Sequence, residues 1–186
     1  QRVEGYELLR AADETMELEP EDLMLLGEAA MWNGQMEMIH PYFERAYRGY
    51  LQQGNTLRAA YVATWIAHGL KNDLQFSVAN GWMSRAKRLL DLEEEAPEHG
   101  YWALQQSLVQ LGEQSFADAL ARAAQGEELG RRFGERDLEI RANLVTNTIR
   151  ESVQDIDRVG PPDRLVRFFT RISEDERTYA MAFCAS

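Results

Sequence analysis

AAYVATWIAHGLKNDLQFSVANGWMSRAKRLLD, residues 59–91, is the stretch on which the fold turns. Its apolar residues recur at three- and four-residue spacing on both sides of the short Lys71-Asn72-Asp73 break. That pattern describes two amphipathic helices joined by a tight turn, because a half-buried strand would alternate apolar and polar residues instead. The same spacing extends outward in both directions. It predicts helices over 3–17, 20–32, 36–53, 56–71, 74–92, 98–112, 115–133, 137–157, 162–172 and 174–184. The start signals are proline after Glu19, Asn55-Thr56 and Ser115 as N-caps, and the acidic turn Glu174-Asp175-Glu176 after Ser173. Pro41 lies inside the third of these segments and predicts either a late start or a kink.

A single helical hairpin cannot cover its own apolar stripe, so an internal repeat is the next test. A shift of 40 residues superposes Ala46, Ala86 and Gly126, then Ile39, Ala79 and Ala119, then the large residues Met36, Phe76 and Phe116. On the preceding helices it superposes Gly27, Ala67 and Ser107, all small. Small residues at a helix crossing let the backbones approach to about 8 Å, with the large residue one turn away filling the adjacent groove. The expectation is an all-α chain, a right-handed superhelix of stacked antiparallel helical hairpins with a period of about 40 residues. It comprises residues 1–159, with a half repeat at 1–19, repeats at 20–54, 55–95 and 96–135, and a divergent fourth from 136. There Ile156 and Val159 take the large and small positions before Gly160-Pro161-Pro162 interrupts the chain. Residues 160–186 are expected to form divergent C-terminal helices or a cap.

Leu23, Leu26, Gly27, Ala30, Gly34, Met36, Ile39, Phe43 and Ala46 carry a resemblance to the tetratricopeptide repeat. The elements GWMSRAKRLL, EHGYWAL and LGRRFGERDLE resemble the extended repeats of LuxR-type bacterial transcriptional regulators and related signalling proteins. The resemblance spans residues 5–143. It implies a cytoplasmic, non-catalytic protein- or peptide-binding scaffold, the regulatory module of such a regulator, in which the first helices of successive repeats line a concave groove. Such a regulator also carries a helix-turn-helix domain. ISEDERTYAMAF is only faintly similar to the opening of one, and no GxxxxGK[ST] phosphate loop occurs.

Charge and composition narrow the function classes. The 186 residues, 45% of them apolar, carry a net charge of −11, which argues against a nucleic-acid surface. Residues 1–119 hold 9 basic and 19 acidic side chains, and residues 120–186 hold 11 and 12, so the acid belongs to the regular repeats. A basic segment is therefore the expected ligand. No apolar run approaches the ~20 residues of a membrane span. The lone Cys184 forms no internal disulfide, which suggests a reducing compartment, and the start at Gln1 suggests a trimmed chain or a fragment. His40, His68 and His99 share no metal-ligand spacing, Ser77, Ser84 and Ser107 lack a nucleophile context, and the acidic runs at 17–22 and 93–95 suit solvated hairpin junctions. Neither cofactor nor catalysis is expected.

The candidate partner-binding residues are Tyr61, Trp65, His68, Tyr101 and Gln105, on the first helices of two neighbouring repeats. Tyrosine and tryptophan dominate binding hot spots, and His68 stands beside Trp65 on a helix type that lines the groove. The structural alternative is a place in the stack: Tyr61, Trp65, Tyr101 and Trp102 as core, and His68 as a partly buried hydrogen-bonded histidine. Trp82, three residues after Ala79, is expected in the core. Arg164, Arg167 and Arg171 fall on one face of the 162–172 helix, opposite Leu165, Phe168, Phe169 and Ile172. They read as a solvated face or as a stripe for an acidic partner, such as the first half of a second copy in a homodimer. A small-molecule effector-sensing domain and a self-association module, docking through the uncapped last repeat or the Phe168-Phe169 pair, are the remaining alternatives.

Overall fold

A computed structural model of the chain describes residues 2–159. The Arg164, Arg167, Arg171 stripe, the Phe168-Phe169 pair, Cys184 and the helices expected at 162–172 and 174–184 lie outside the described residues. Within them every regular element is an α-helix: α1 (Arg2–Thr15), α2 (Pro20–Trp32), α3 (Met36–Gln52), α4 (Thr56–Asn72), α5 (Phe76–Leu90), α6 (Pro97–Gly112), α7 (Phe116–Phe133) and α8 (Arg136–Val159). The all-α expectation holds, and most helix ends fall within two residues of the sequence reading. Pro20 takes the first position of α2, where its missing N–H is not needed. Asn55 caps α4, its side chain accepting from the Arg58 amide at 3.2 Å. Ser115 occupies the equivalent place before α7 but its side chain makes no capping bond. Pro41 does not delay α3, which begins at Met36 with the proline inside it.

Five of the turns share one geometry. Gly34, Gly54, Leu74, Gln114 and Gly134 have φ between 60° and 73°. The residue after each donates its N–H to the carbonyl five back: Gln35 to Ala30, Asn55 to Tyr50, Gln75 to Leu70, Ser115 to Gln110 and Glu135 to Gly130, at 2.8–2.9 Å. This is the Schellman closure, which satisfies helix-end carbonyls and needs one left-handed residue. Of the two other junctions, residues 16–19 between α1 and α2 and residues 91–96 between α5 and α6, the second is held by His99. Its Nδ1 accepts from the Ala96 amide at 3.2 Å, so Nε2 carries the proton and donates to the Leu90 carbonyl at 3.1 Å.

Leu74 explains why α5 starts at Phe76 rather than at the expected 74: a left-handed residue cannot be the first of a helix. A left-handed non-glycine residue costs about 1–2 kcal/mol, and Leu74, 74% exposed, recovers little of it by packing. Leu74→Gly is therefore expected to stabilise the chain by about 1 kcal/mol, read as a higher denaturation midpoint at unchanged m-value.

The described residues divide into two compact units between Gln105 and Gln106, with the boundary inside α6, in the stretch read as the third repeat. In the first unit each helix from α1 to α4 packs on the next in sequence. Leu26, Ile66, Tyr50 and Leu90 are fully buried there, each of the aliphatic ones worth about 1.5–3 kcal/mol of burial. The small positions work as steric permits. A Cβ on Gly27 would lie 2.7 Å from Cδ1 of Phe43, and Ala46, Ala67, Ala79 and Ala86 are fully buried. Arg45 clamps Asp13 with two 2.7 Å bonds, tying α3 to α1. Trp82 is in the core as expected, edge-on to Tyr47 at 5.0 Å.

The large positions at the starts of the second helices behave differently from the expectation. Met36 and Phe76 are both more than half exposed and do not fill a groove. Each is the first residue of its helix, and the Cα–Cβ bond tilts toward the N-terminus, so these side chains project past the helix end.

In the second unit, α7 packs on α8 around Leu129, Leu138, Ile149, Ala119 and Ala142, and Ser107 at the end of α6 donates to the Ala119 carbonyl on α7 at 2.7 Å. Ser107 thus does more than stay small. Ser107→Ala keeps the volume and removes the bond, so a loss of about 1 kcal/mol in denaturant unfolding is expected, leaving a buried carbonyl short of a donor.

Candidate functional site

Five residues of α4, Arg58, Tyr61, Trp65, His68 and Asn72, follow each other at intervals of three, four, three and four. That spacing places them on one stripe of the helix, while Ala59, Ala63, Ile66, Ala67 and Leu70 turn inward and are buried. Tyr101 and Gln105, one turn apart on α6, come against this stripe.

The contacts are continuous. Tyr61 meets Tyr101 edge-on with ring centroids 5.0 Å apart, and meets Trp65 at 6.1 Å. Trp65 in turn meets the His68 ring at 5.6 Å. These edge-to-face pairs each contribute about 0.5–1.5 kcal/mol beyond burial. His68 Nδ1 lies 3.1 Å from Gln105 Oε1, which can only accept, so Nδ1 carries the proton. The Nε2 lone pair is then free to accept from Asn72 Nδ2 at 3.4 Å. At the other end the Arg58 guanidinium lies 4.7 Å from the Tyr61 ring centroid and 5.7 Å from that of Tyr50. Burial opposes the Arg58 charge, but Tyr50, Tyr61 and Glu98 outweigh it and raise its pKa.

All five residues singled out in the sequence therefore fall in one cluster. Gln105 is buried, and Tyr61, Trp65, His68 and Tyr101 are half-buried, each with one side in the stack. The structural reading of His68 is met in full, since its ring is hydrogen-bonded within the stack. Trp102 turns from the cluster toward α5, donating Nε1–H to the Met83 carbonyl at 3.2 Å. Arg58, Asn72 and Tyr50 were missed. The 3-4-3-4 interval from 58 to 72 was a legible signal for the first two, whereas Tyr50 comes from the preceding helix and has no such mark.

Lys71, beside this stripe, was also missed. Its Nζ is buried with no hydrogen-bond partner, and burial pushes its pKa down to about 8. The Tyr50 hydroxyl is likewise buried, and burial raises its pKa against the lowering by the neighbouring Arg58 guanidinium. In the second unit an open depression is lined by Gln110, Asp118, Ala121, Arg122 and Gln125. Among the described residues no group of three or more His, Cys, Asp or Glu side chains is placed to hold a metal ion. No helix among them is long and apolar enough to cross a membrane.

No family model matches the chain, and no curated protein or solved structure is similar to it.

Proposed function

We propose that the chain is a non-catalytic protein- or peptide-binding module, built as a tetratricopeptide-like solenoid and serving as the regulatory part of a bacterial transcriptional or signalling protein. The observation that carries this reading is the unbroken row from Arg58 through Tyr61, Trp65 and His68 to Asn72, joined by Tyr101 and Gln105. A row of half-buried rings held edge-to-face is pre-ordered, so a ligand laid along it loses little side-chain entropy from the protein side. Tyrosine, tryptophan and arginine are the residue types on which binding energy concentrates. The solenoid reading is supported by left-handed turn residues separated by multiples of 20 along the sequence and by second helices that begin at Met36, Phe76 and Phe116, 40 apart. The −11 net charge favours a basic segment as the ligand.

The test is capture of binding partners by the full chain, compared with a Tyr61→Ala/His68→Ala/Tyr101→Ala variant and with a Ser84→Glu/Arg88→Glu control on the exposed side of α5. The triple variant is expected to weaken capture at least tenfold while the control retains it. Capture unchanged by the triple variant and abolished by the control would overturn the reading.

A further inference from the structure

At one end of the first unit, the end of α2, the start of α3, the end of α4 and the start of α5 lie together. His40 shows the closeness: its Nε2 is 3.5 Å from Asp73 Oδ2, and its ring would meet a Cβ on Gly69 at 2.8 Å. Met31, Met36, Leu74, Phe76 and Val78 are all exposed here. Single exposed apolar residues need no explanation, but five from neighbouring turns at one end of a helix stack form a patch of the kind that marks an interaction site. Leu74 sharpens the point. It holds a left-handed conformation that three equivalent turns give to glycine, and its side chain projects into solvent. The turn closure sets that conformation, as it does at Gln114, so what distinguishes this turn is the large apolar side chain it holds in solvent.

Charge selects the occupant. Within residues 29–40 and 69–80 the only Asp, Glu, Lys and Arg are Glu37, Lys71 and Asp73, and the Lys71 Nζ is buried, so the exposed charge at this end is acidic. A symmetric pairing of two copies would set these acidic groups against themselves. An anionic lipid surface would be repelled in the same way. We infer that this end of the first unit docks an amphipathic helix of a partner protein, one with an apolar face bordered by lysine or arginine. This surface is distinct from the α4–α6 row and does not rest on the function proposed for it.

The experiment uses the full chain and a fluorescent 14-residue peptide of leucine and lysine at amphipathic helical spacing, with a leucine–glutamate peptide as its counterpart. Binding of the lysine peptide is expected to weaken at least threefold in Leu74→Gly and tenfold or more in Leu74→Gly/Phe76→Ser, and to remain within twofold in Gly81→Ala, where nothing lies within 4 Å of the added Cβ. Leu74→Gly relieves strain, so its effect does not come from misfolding. Glu37→Gln/Asp73→Asn is expected to flatten the salt dependence of the affinity. Equal binding of the glutamate peptide, or unchanged binding by the Leu74→Gly/Phe76→Ser variant, would overturn the inference. So would concentration-dependent light scattering or adsorption to neutral phosphatidylcholine vesicles that the double variant abolishes, since the occupant would then be a second copy or a lipid surface.

Discussion

Lys71→Met is expected to stabilise the chain at pH 7 by about 2 kcal/mol and to remove a pH dependence that the wild type shows between pH 8 and 10.5. The Lys71 ammonium is taken out of water without a hydrogen bond in return, and its pKa falls from the ordinary 10.5 to about 8. Below pH 8 both folded and unfolded chains hold the proton, and the folded state bears the whole desolvation cost, at most about 3 kcal/mol for such a shift. Between pH 8 and 10.5 the unfolded chain keeps the proton that the folded chain has released, so wild-type stability rises with pH. Above that window both forms are neutral and the penalty is gone. Methionine supplies a similar flexible apolar stem without the charge, so the difference between variant and wild type is expected to be largest below pH 8 and to shrink toward pH 10.5. Denaturant unfolding of the two proteins at pH 7 and pH 9.5 reads it directly, with titrations elsewhere in the chain cancelling in the difference. Equal stabilities at both pH values would show that the Nζ reaches solvent.

Gly130→Ala is expected to cost about 2–3 kcal/mol, at the upper end of the usual overpacking range. A Cβ at Gly130 would lie 2.8 Å from the Glu139 nitrogen, 3.1 Å from its Cα and 3.2 Å from the Glu135 carbonyl oxygen. These are backbone atoms of α8 and of the turn leading into it, so no side-chain rotation can make room and α7 must separate from α8. Gly81→Ala supplies the contrast. Gly81 is exposed within α5 and nothing lies within 4 Å of its added Cβ, so alanine is expected to gain up to about 1 kcal/mol from helix propensity alone. The two glycines look alike in the sequence, each inside an amphipathic helix. Thermal unfolding of both variants against wild type separates them, and a stabilised Gly130→Ala would mean that the α7–α8 crossing is looser than the structure has it.

Helix identity and order were legible in the chain because three- and four-residue apolar spacing is a local property and most breaks between helices contain Gly, Asn or Asp. Leu74 and Gln114 were harder. Both sit in left-handed turns where the residue type gives no warning, and only the register of the flanking helices forces the conformation. The candidate site divides in the same way. Tyr61, Trp65 and His68 share one stripe of α4, which spacing alone predicts, and Tyr101 with Gln105 repeats that logic on α6.

By itself the sequence determined that this is an all-helical chain, where its helices lie, and that small residues recur at fixed intervals, since each follows from patterns within one or two turns. Only the tertiary structure decided that Tyr61 meets Tyr101 edge-on, that His68 bonds Gln105, that Lys71 Nζ is buried without a hydrogen-bond partner and that Met36 and Phe76 face outward. Those outcomes depend on which helix faces come together and how far each helix end projects. Spacing along one helix carries no information about the neighbour that will cover it.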